Sequence, residues 1–159
     1  MTGRRNFYIY KLALAIALTV FAAQSASAKN SFGVRAGFAS TPDQFVIGGQ
    51  AELGRALQTA RFAPSVDVGL GSDLTAWTFN ADFRWYLFNL PESGLKFYGA
   101  AGPTLLLTSA NKAGSDSNLG LSLVGGVRIP MKGGRRYNLE ARFGVGDIPD
   151  FKLMLGILF

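Results

Sequence analysis

The sequence predicts an all-β chain: a cleaved N-terminal signal, then eight antiparallel strands joined up-and-down and closed into a transmembrane β-barrel. Three observations predict it. The 159 residues are 48% apolar and only 16% charged, which is more apolar surface than one small core can hide. After Ala28 no run approaches the ~20 apolar residues of a membrane-spanning helix. Instead, apolar residues alternate with small or polar ones in short runs separated by turn clusters, the two-residue period of strands with unlike faces.

Residues 1–28 read as an address. Arg4, Arg5 and Lys11 precede the apolar run Leu12–Ala23, and Ala26-Ser27-Ala28 forms a small-x-small cleavage site before Lys29. This is the three-part layout of a secretory signal. The run is short for a span and ends at the cleavage site rather than in flanking positive charge. Residues 29–159 then form one barrel domain.

The strands follow in order. Phe32, Val34, Ala36 and Phe38 share one face of the first, opposite Arg35. After the turn cluster Ser40-Thr41-Pro42-Asp43, the second puts Phe45, Ile47, Ala51 and Leu53 opposite Gly48, Gln50 and Glu52. The stretch Ala51–Ala60 has some helical character, but Gly54 and its brevity favour a turn. The third strand opposes Pro64, Val66, Val68 and Leu70 to Ser65 and Asp67. The fourth is the clearest: Trp77, Phe79, Ala81, Phe83, Trp85 and Leu87 alternate with Thr78, Asn80, Asp82, Arg84 and Tyr86. The fifth, at 96–107, contains Pro103 and its facing is ambiguous. Ser109–Asn118 reads as the longest polar loop. The sixth strand, at 119–130, carries Arg128. After the basic turn Lys132–Arg136, the seventh opposes Leu139, Ala141 and Phe143 to Glu140 and Arg142. The eighth is FKLMLGILF, with Lys152 opposite Phe151, Leu153, Leu155, Ile157 and Phe159. Each run is close to the ~9–11 residues that cross a bilayer at a tilt. An even number of strands leaves both ends on one side.

Two all-β arrangements use these faces in opposite ways. A soluble barrel hides its apolar face, and a membrane barrel turns it outward. The apolar face is aromatic on nearly every strand. The other face is Gly, Ser and Ala with isolated charges, which suits a narrow lumen better than a water-exposed surface. Trp77 and Trp85 share one face eight residues apart, about 20 Å of depth at a ~40° tilt, so each ring reaches one interfacial girdle. The lumen then holds Glu52, Asp67, Asp82 and Glu140 with Arg35, Arg84, Arg128, Arg142 and Lys152, nearly balanced, and expected to fill it as an ionic network.

The composition excludes several chemistries. The chain has no His and no Cys, so catalytic triads, Cys–His pairs, disulfides, His- or thiolate-bound metals and lipoprotein anchors are impossible. An acid–base couple such as Asp67 with Asp82 needs an open cleft and one strongly raised pKa, which the neighbouring arginines oppose. No enzyme activity, cofactor or metal is expected. No Lys/Arg run is interleaved with stacking aromatics, so no nucleic-acid partner is expected either. The rims differ. One gathers Asp43, Asp73, Asp116, Asp147 and Asp150, best read as solvated loops. The other gathers Lys29, Arg55, Arg61, Lys96, Lys132, Arg135 and Arg136, suited to anionic headgroups or a partner on that side.

With the Ala26-Ser27-Ala28 cleavage site, the eight alternating strands and the closing strand ending in Phe159, the mature chain resembles the small outer-membrane β-barrel family, the kind that forms the membrane domain of OmpA-like proteins. The resemblance implies export to the bacterial outer membrane, with outer-membrane lipids and the outer-membrane assembly machinery as partners. It also implies that Leu155, Ile157 and Phe159 form the assembly signal of the last strand. Lipid-modifying members with this barrel use a catalytic His that this chain lacks, so their activities do not carry over. The function implied is structural or interaction-type, contributing to envelope integrity or surface contacts. The alternatives are a minor channel for small solutes and, third, an exported soluble β-barrel binder. Replacing Phe83 by Arg is expected to impair assembly by about 2–4 kcal/mol, seen as loss of the folded band on unboiled gels. Wild-type assembly of that variant would reverse the facing.

Overall fold

The computed structural model describes residues 30–159 apart from 42, 72, 73 and 111–113. The expected signal at 1–28, with Lys29, lies outside the described residues, as do Asp73 of the acidic rim and the tip of the fifth hairpin. The strands are β1 (Ser31–Ser40), β2 (Gln44–Glu52), β3 (Arg61–Leu70), β4 (Leu74–Leu90), β5 (Leu95–Ala110), β6 (Gly114–Pro130), β7 (Arg136–Gly146) and β8 (Phe151–Leu158). Each pairs antiparallel with the next, and β8 returns to β1 from Gly33↔Leu158 to Ser40↔Phe151, so the eight strands close into an up-and-down barrel. Closure leaves no sheet edge with unpaired backbone groups. No described helix is long and apolar enough to cross a membrane.

Both ends of the described chain lie at one end of the barrel with the β2–β3, β4–β5 and β6–β7 connections; we call this the terminal end. The other four connections lie at the distal end.

The facing follows the alternation. Arg84 and Glu140 are 4% and 1% exposed, whereas Trp77 and Leu155 are 45% and 55% exposed. Large apolar side chains, among them Val34, Phe38, Ile47, Leu121, Leu123, Phe143 and Leu153, stand on the outside all round the barrel. Monomeric soluble proteins rarely expose contiguous apolar surface on this scale. An apolar exterior around an ionic interior is the arrangement of a barrel whose solvent is lipid.

Several local expectations change. Ser109–Asn118 is not a long loop: β5 runs to Ala110 and β6 begins at Gly114, with Ser109↔Ser115 and Thr108↔Asp116 in register. The polar side chains hid a backbone ladder that continues past the apolar zone, because backbone pairing does not depend on side-chain polarity. In β5, Tyr98, Ala100, Thr104 and Leu106 are buried while Phe97 and Pro103 are exposed, which settles its facing. The β4–β5 register stops after Asn80↔Thr104 and resumes at Phe83↔Ala101. The gap lies opposite Pro103, which has no N–H to give. Leu87 falls at a register shift between Tyr86 and Phe88 and stays exposed, as the alternation predicts. Leu53, expected on the outer face, is fully buried, because β2 ends at Glu52 and the chain bends there toward β3. Of Ala51–Ala60, Ala51 and Glu52 close β2 and most of the rest forms bends rather than helix, held by Ala56 and Leu57 N–H groups donating to the Ala60 carbonyl.

Gly102 sits in that β4–β5 gap, where a Cβ would collide with the Ala81 carbonyl oxygen. Gly102→Ala therefore forces backbone apart, and is expected to lower stability by about 1–3 kcal/mol, measured as a shifted urea midpoint in lipid vesicles. An unchanged midpoint would show that β4 and β5 can separate there freely.

Candidate functional site: an ionic lumen

Alternation delivers each interior charge from a different place on the wall. β1 supplies Arg35, β2 Glu52, β3 Asp67, β4 Asp82 and Arg84, β6 Arg128, β7 Glu140 and Arg142, and β8 Lys152; all nine are buried. An isolated ion in such a place loses several kcal/mol of hydration even after relaxation, so each must find a partner.

The partners form one connected lattice along the barrel. Lys152 Nζ donates to Thr78 Oγ1 at 2.9 Å and lies 3.8 Å from Asp67. Asp67 receives Arg35 Nε and Nη2 at 2.7 Å each, a bidentate fork. Arg35 reaches Glu140 at 3.3 Å, and Glu140 receives Arg84 at 2.6 Å. Arg84 passes on to Glu52 at 3.1 Å, which also receives Arg128 at 2.5 Å and Arg61 at 2.9 Å. Asp82 forms a branch, held by Arg142 at 2.6 Å, with Arg142 4.0 Å from Glu140.

Neutral groups complete the lattice. Tyr98 and Tyr86 hydroxyls each donate at 2.7 Å, to Glu140 and Glu52 respectively. The Arg84 guanidinium lies 4.2 Å from the Tyr98 ring centre, and that of Arg128 5.1 Å from the Tyr86 ring centre. Both are within cation–π range. Tyr98 pairs across the wall with Gly126, where a Cβ would meet its ring. Ser65 accepts from Arg35 and Asn80, Ser122 donates to Asp82, and Thr104 donates to Asn80.

Toward the distal end the interior turns apolar. Ala39, Val46 and Met154 form one buried cluster, and Ala76, Leu106 and Ile148 another. Ile148 comes from the β7–β8 connection, beside Gly120 and Gly144, and is buried at 7% exposure. Toward that end these apolar clusters stand among the buried polar side chains Gln44 and Lys152.

Sequence reasoning missed three parts of this. Arg61, assigned to the rim, turns inward onto Glu52. Tyr98 was hidden by the ambiguous phase of β5. Ile148 lies in a turn, where alternation carries no information. A signal for Tyr98 did exist: Gly99, Ala101 and Pro103 put no charge on the other face, and Gly126 opposes it.

The outward-facing candidates are placed as follows. Trp77 is exposed and Trp85 half-buried, both on the exterior of β4. Leu155 is exposed, Ile157 is half-buried, and Phe159 is exposed with its N–H donating to the Phe32 carbonyl at 2.8 Å. On the acidic rim Asp43, Asp116, Asp147 and Asp150 are exposed, and no metal-binding cluster occurs among the described residues. The Asp67–Asp82 couple is not available for acid–base work: both are buried, and each is committed to a guanidinium.

No protein-family model and no curated protein sequence matches this chain. Solved structures do. The N-terminal β-barrel domain of Pseudomonas aeruginosa OprF superposes with a TM-score of 0.64 at 15% identity, over 81% of this chain and 96% of that one. Neisserial surface protein A gives 0.61 at 17% identity, over 81% and 94%. The Yersinia pestis outer membrane protein Ail, determined in a phospholipid bilayer nanodisc, gives 0.52 at 12% identity, over 82% and 99%. This chain has the fold of the small eight-stranded outer-membrane barrels. Identity this low carries the fold alone; what the lumen does must be argued from its own residues.

Glu140 accepts from Arg35, Arg84 and Tyr98 together. Glu140→Gln takes from buried Arg35 and Arg84 one of the two carboxylates each contacts, leaving Asp67 and Glu52, and is expected to lower stability by about 2–4 kcal/mol in urea unfolding followed by Trp fluorescence. Asp147→Asn, at an exposed turn, should stay within about 0.5 kcal/mol of wild type. Equal effects of the two would mean that the lattice does not hold the barrel.

Proposed function

We propose that this chain is a non-enzymatic bacterial outer-membrane protein, a closed scaffold that contributes to envelope integrity and presents its distal hairpins at the cell surface. The observation that carries this reading is the lumen: a connected ion lattice from Lys152 to Arg61, with the Ala76, Leu106 and Ile148 cluster toward the distal end, leaves the interior filled rather than open. Eight-stranded barrels are just wide enough for side chains to do this. The apolar exterior, the signal-like residues 1–28 and the likeness to outer-membrane barrels support the location. In this reading the terminal end faces the periplasm, and Trp77 and Trp85 sit at the two lipid interfaces. Leu155, Ile157 and Phe159 present the closing strand to the assembly machinery. The β4–β6 strands, 16 or 17 residues long, reach past the apolar zone and carry the largest distal hairpin.

The channel alternative requires the lattice to open. Refolded protein in planar bilayers is expected to give no steady single-channel current at moderate voltage. Reproducible currents abolished by enlarging Ser122, which lies buried against Asp82 and Arg142, would replace the scaffold with a conducting path.

A further inference from the structure

The charges within the lumen nearly balance, but those at its terminal mouth do not. At the terminal end a cavity of about 610 Å³ opens between the β2–β3 connection and the ends of β4, β5, β6 and β7. Five cations line it: Arg55, Arg61, Lys96, Arg128 and Arg136. Glu52 is the lone carboxylate of the lining, and it is already occupied. It accepts five hydrogen bonds, from Arg61, Arg84, the Tyr86 hydroxyl and both Nη groups of Arg128, which more than fills the roughly four lone-pair sites of a carboxylate. Arg55, Lys96 and Arg136 form no ion pair among the described residues. Arg136 gives one Nη to Ser31 at 2.6 Å, while its Nε is buried without a partner.

We propose that this cavity is a binding site for a phosphate-bearing anion, held by Arg55, Lys96 and Arg136 above the Glu52 cluster. The three cations line one space from separate parts of the wall, so the fitting acceptor is one with several oxygens. Guanidinium forks match phosphate in this way, and a lysine adds a point charge. Leu87 and Phe88 form an apolar part of the same wall, and the volume exceeds that of a bare phosphate ion. The ligand is therefore a phosphate ester with an organic part beside those side chains. Two sources share that chemistry: a soluble phosphate ester, or the headgroup of an anionic phospholipid from the leaflet around this end.

The test uses the folded, isotope-labelled barrel in phosphatidylcholine nanodiscs, titrated with glycerol phosphate while amide shifts are followed by NMR. Saturable shifts confined to residues around Arg55, Lys96 and Arg136, with a Kd of about 1 mM or tighter, are expected if the source is soluble. If it is lipid, nanodiscs containing phosphatidylglycerol reproduce the same shifts, and glycerol phosphate adds little. In either case the exposed double variant Arg55→Gln/Lys96→Gln weakens the response about tenfold or more, and Lys132→Gln/Arg135→Gln, on the β6–β7 turn outside the cavity, leaves it unchanged. No response from either source, or an equal loss in both double variants, would overturn the site and indicate only diffuse attraction to a basic rim. The scaffold reading survives that result, because its test is conductance.

Discussion

A backbone surrounded by acyl chains has no water to satisfy its N–H and C=O groups, so a sheet in that solvent must close on itself. Most features of this protein follow from that constraint. Eight strands are few for a closed sheet, and the interior is correspondingly narrow. Every residue on the inner face is then within reach of residues from other strands, and a charge there cannot find bulk water. The ion lattice is the consequence: Arg35 of β1 meets Asp67 of β3 and Glu140 of β7, and Arg128 of β6 meets Glu52 of β2.

The contribution of such a lattice is not chiefly net stability. Desolvating ions offsets much of what their pairing returns, and breaking one pair is far worse than never having built it. Its effect lies in register. Slipping any strand by one residue would send its charges into lipid and its aromatic rings into the lumen. The interior charges therefore discriminate among strand pairings that the apolar faces alone would tolerate. Glycines such as Gly126, beneath Tyr98, make the room this arrangement needs.

Much of this was legible in the sequence because the strand period is two and the two faces differ so sharply. Trp77 to Trp85 on one face, with Asp82 and Arg84 on the other, suffice to orient β4 and, through pairing, its neighbours. The period lost its power in three kinds of place. In β5, small residues on both faces and Pro103 left no contrast to read. At the distal hairpin, polar residues looked like loop although their backbones pair. In the turns, Arg61 and Ile148 owe their inward placement to chain direction at strand ends, which no alternation encodes. The ion partners themselves were also illegible. Alternation says which charges are inside, but the pairing of Arg35 with Asp67 rather than Asp82 depends on register and strand stagger.

The central claim is that the ionic face is sealed inside and the apolar face meets hydrocarbon. The chain has no cysteine of its own, so single cysteines carrying nitroxide labels can be placed along β6 from Leu119 to Ile129 without background. Relaxation by oxygen, which concentrates in lipid, should be strong at Leu119, Leu121, Leu123, Val127 and Ile129, with a water-soluble nickel reagent weak there and both weak at Ser122 and Val124. Strong relaxation by the nickel reagent at Leu121 and Leu123 would put those side chains in water and contradict the account.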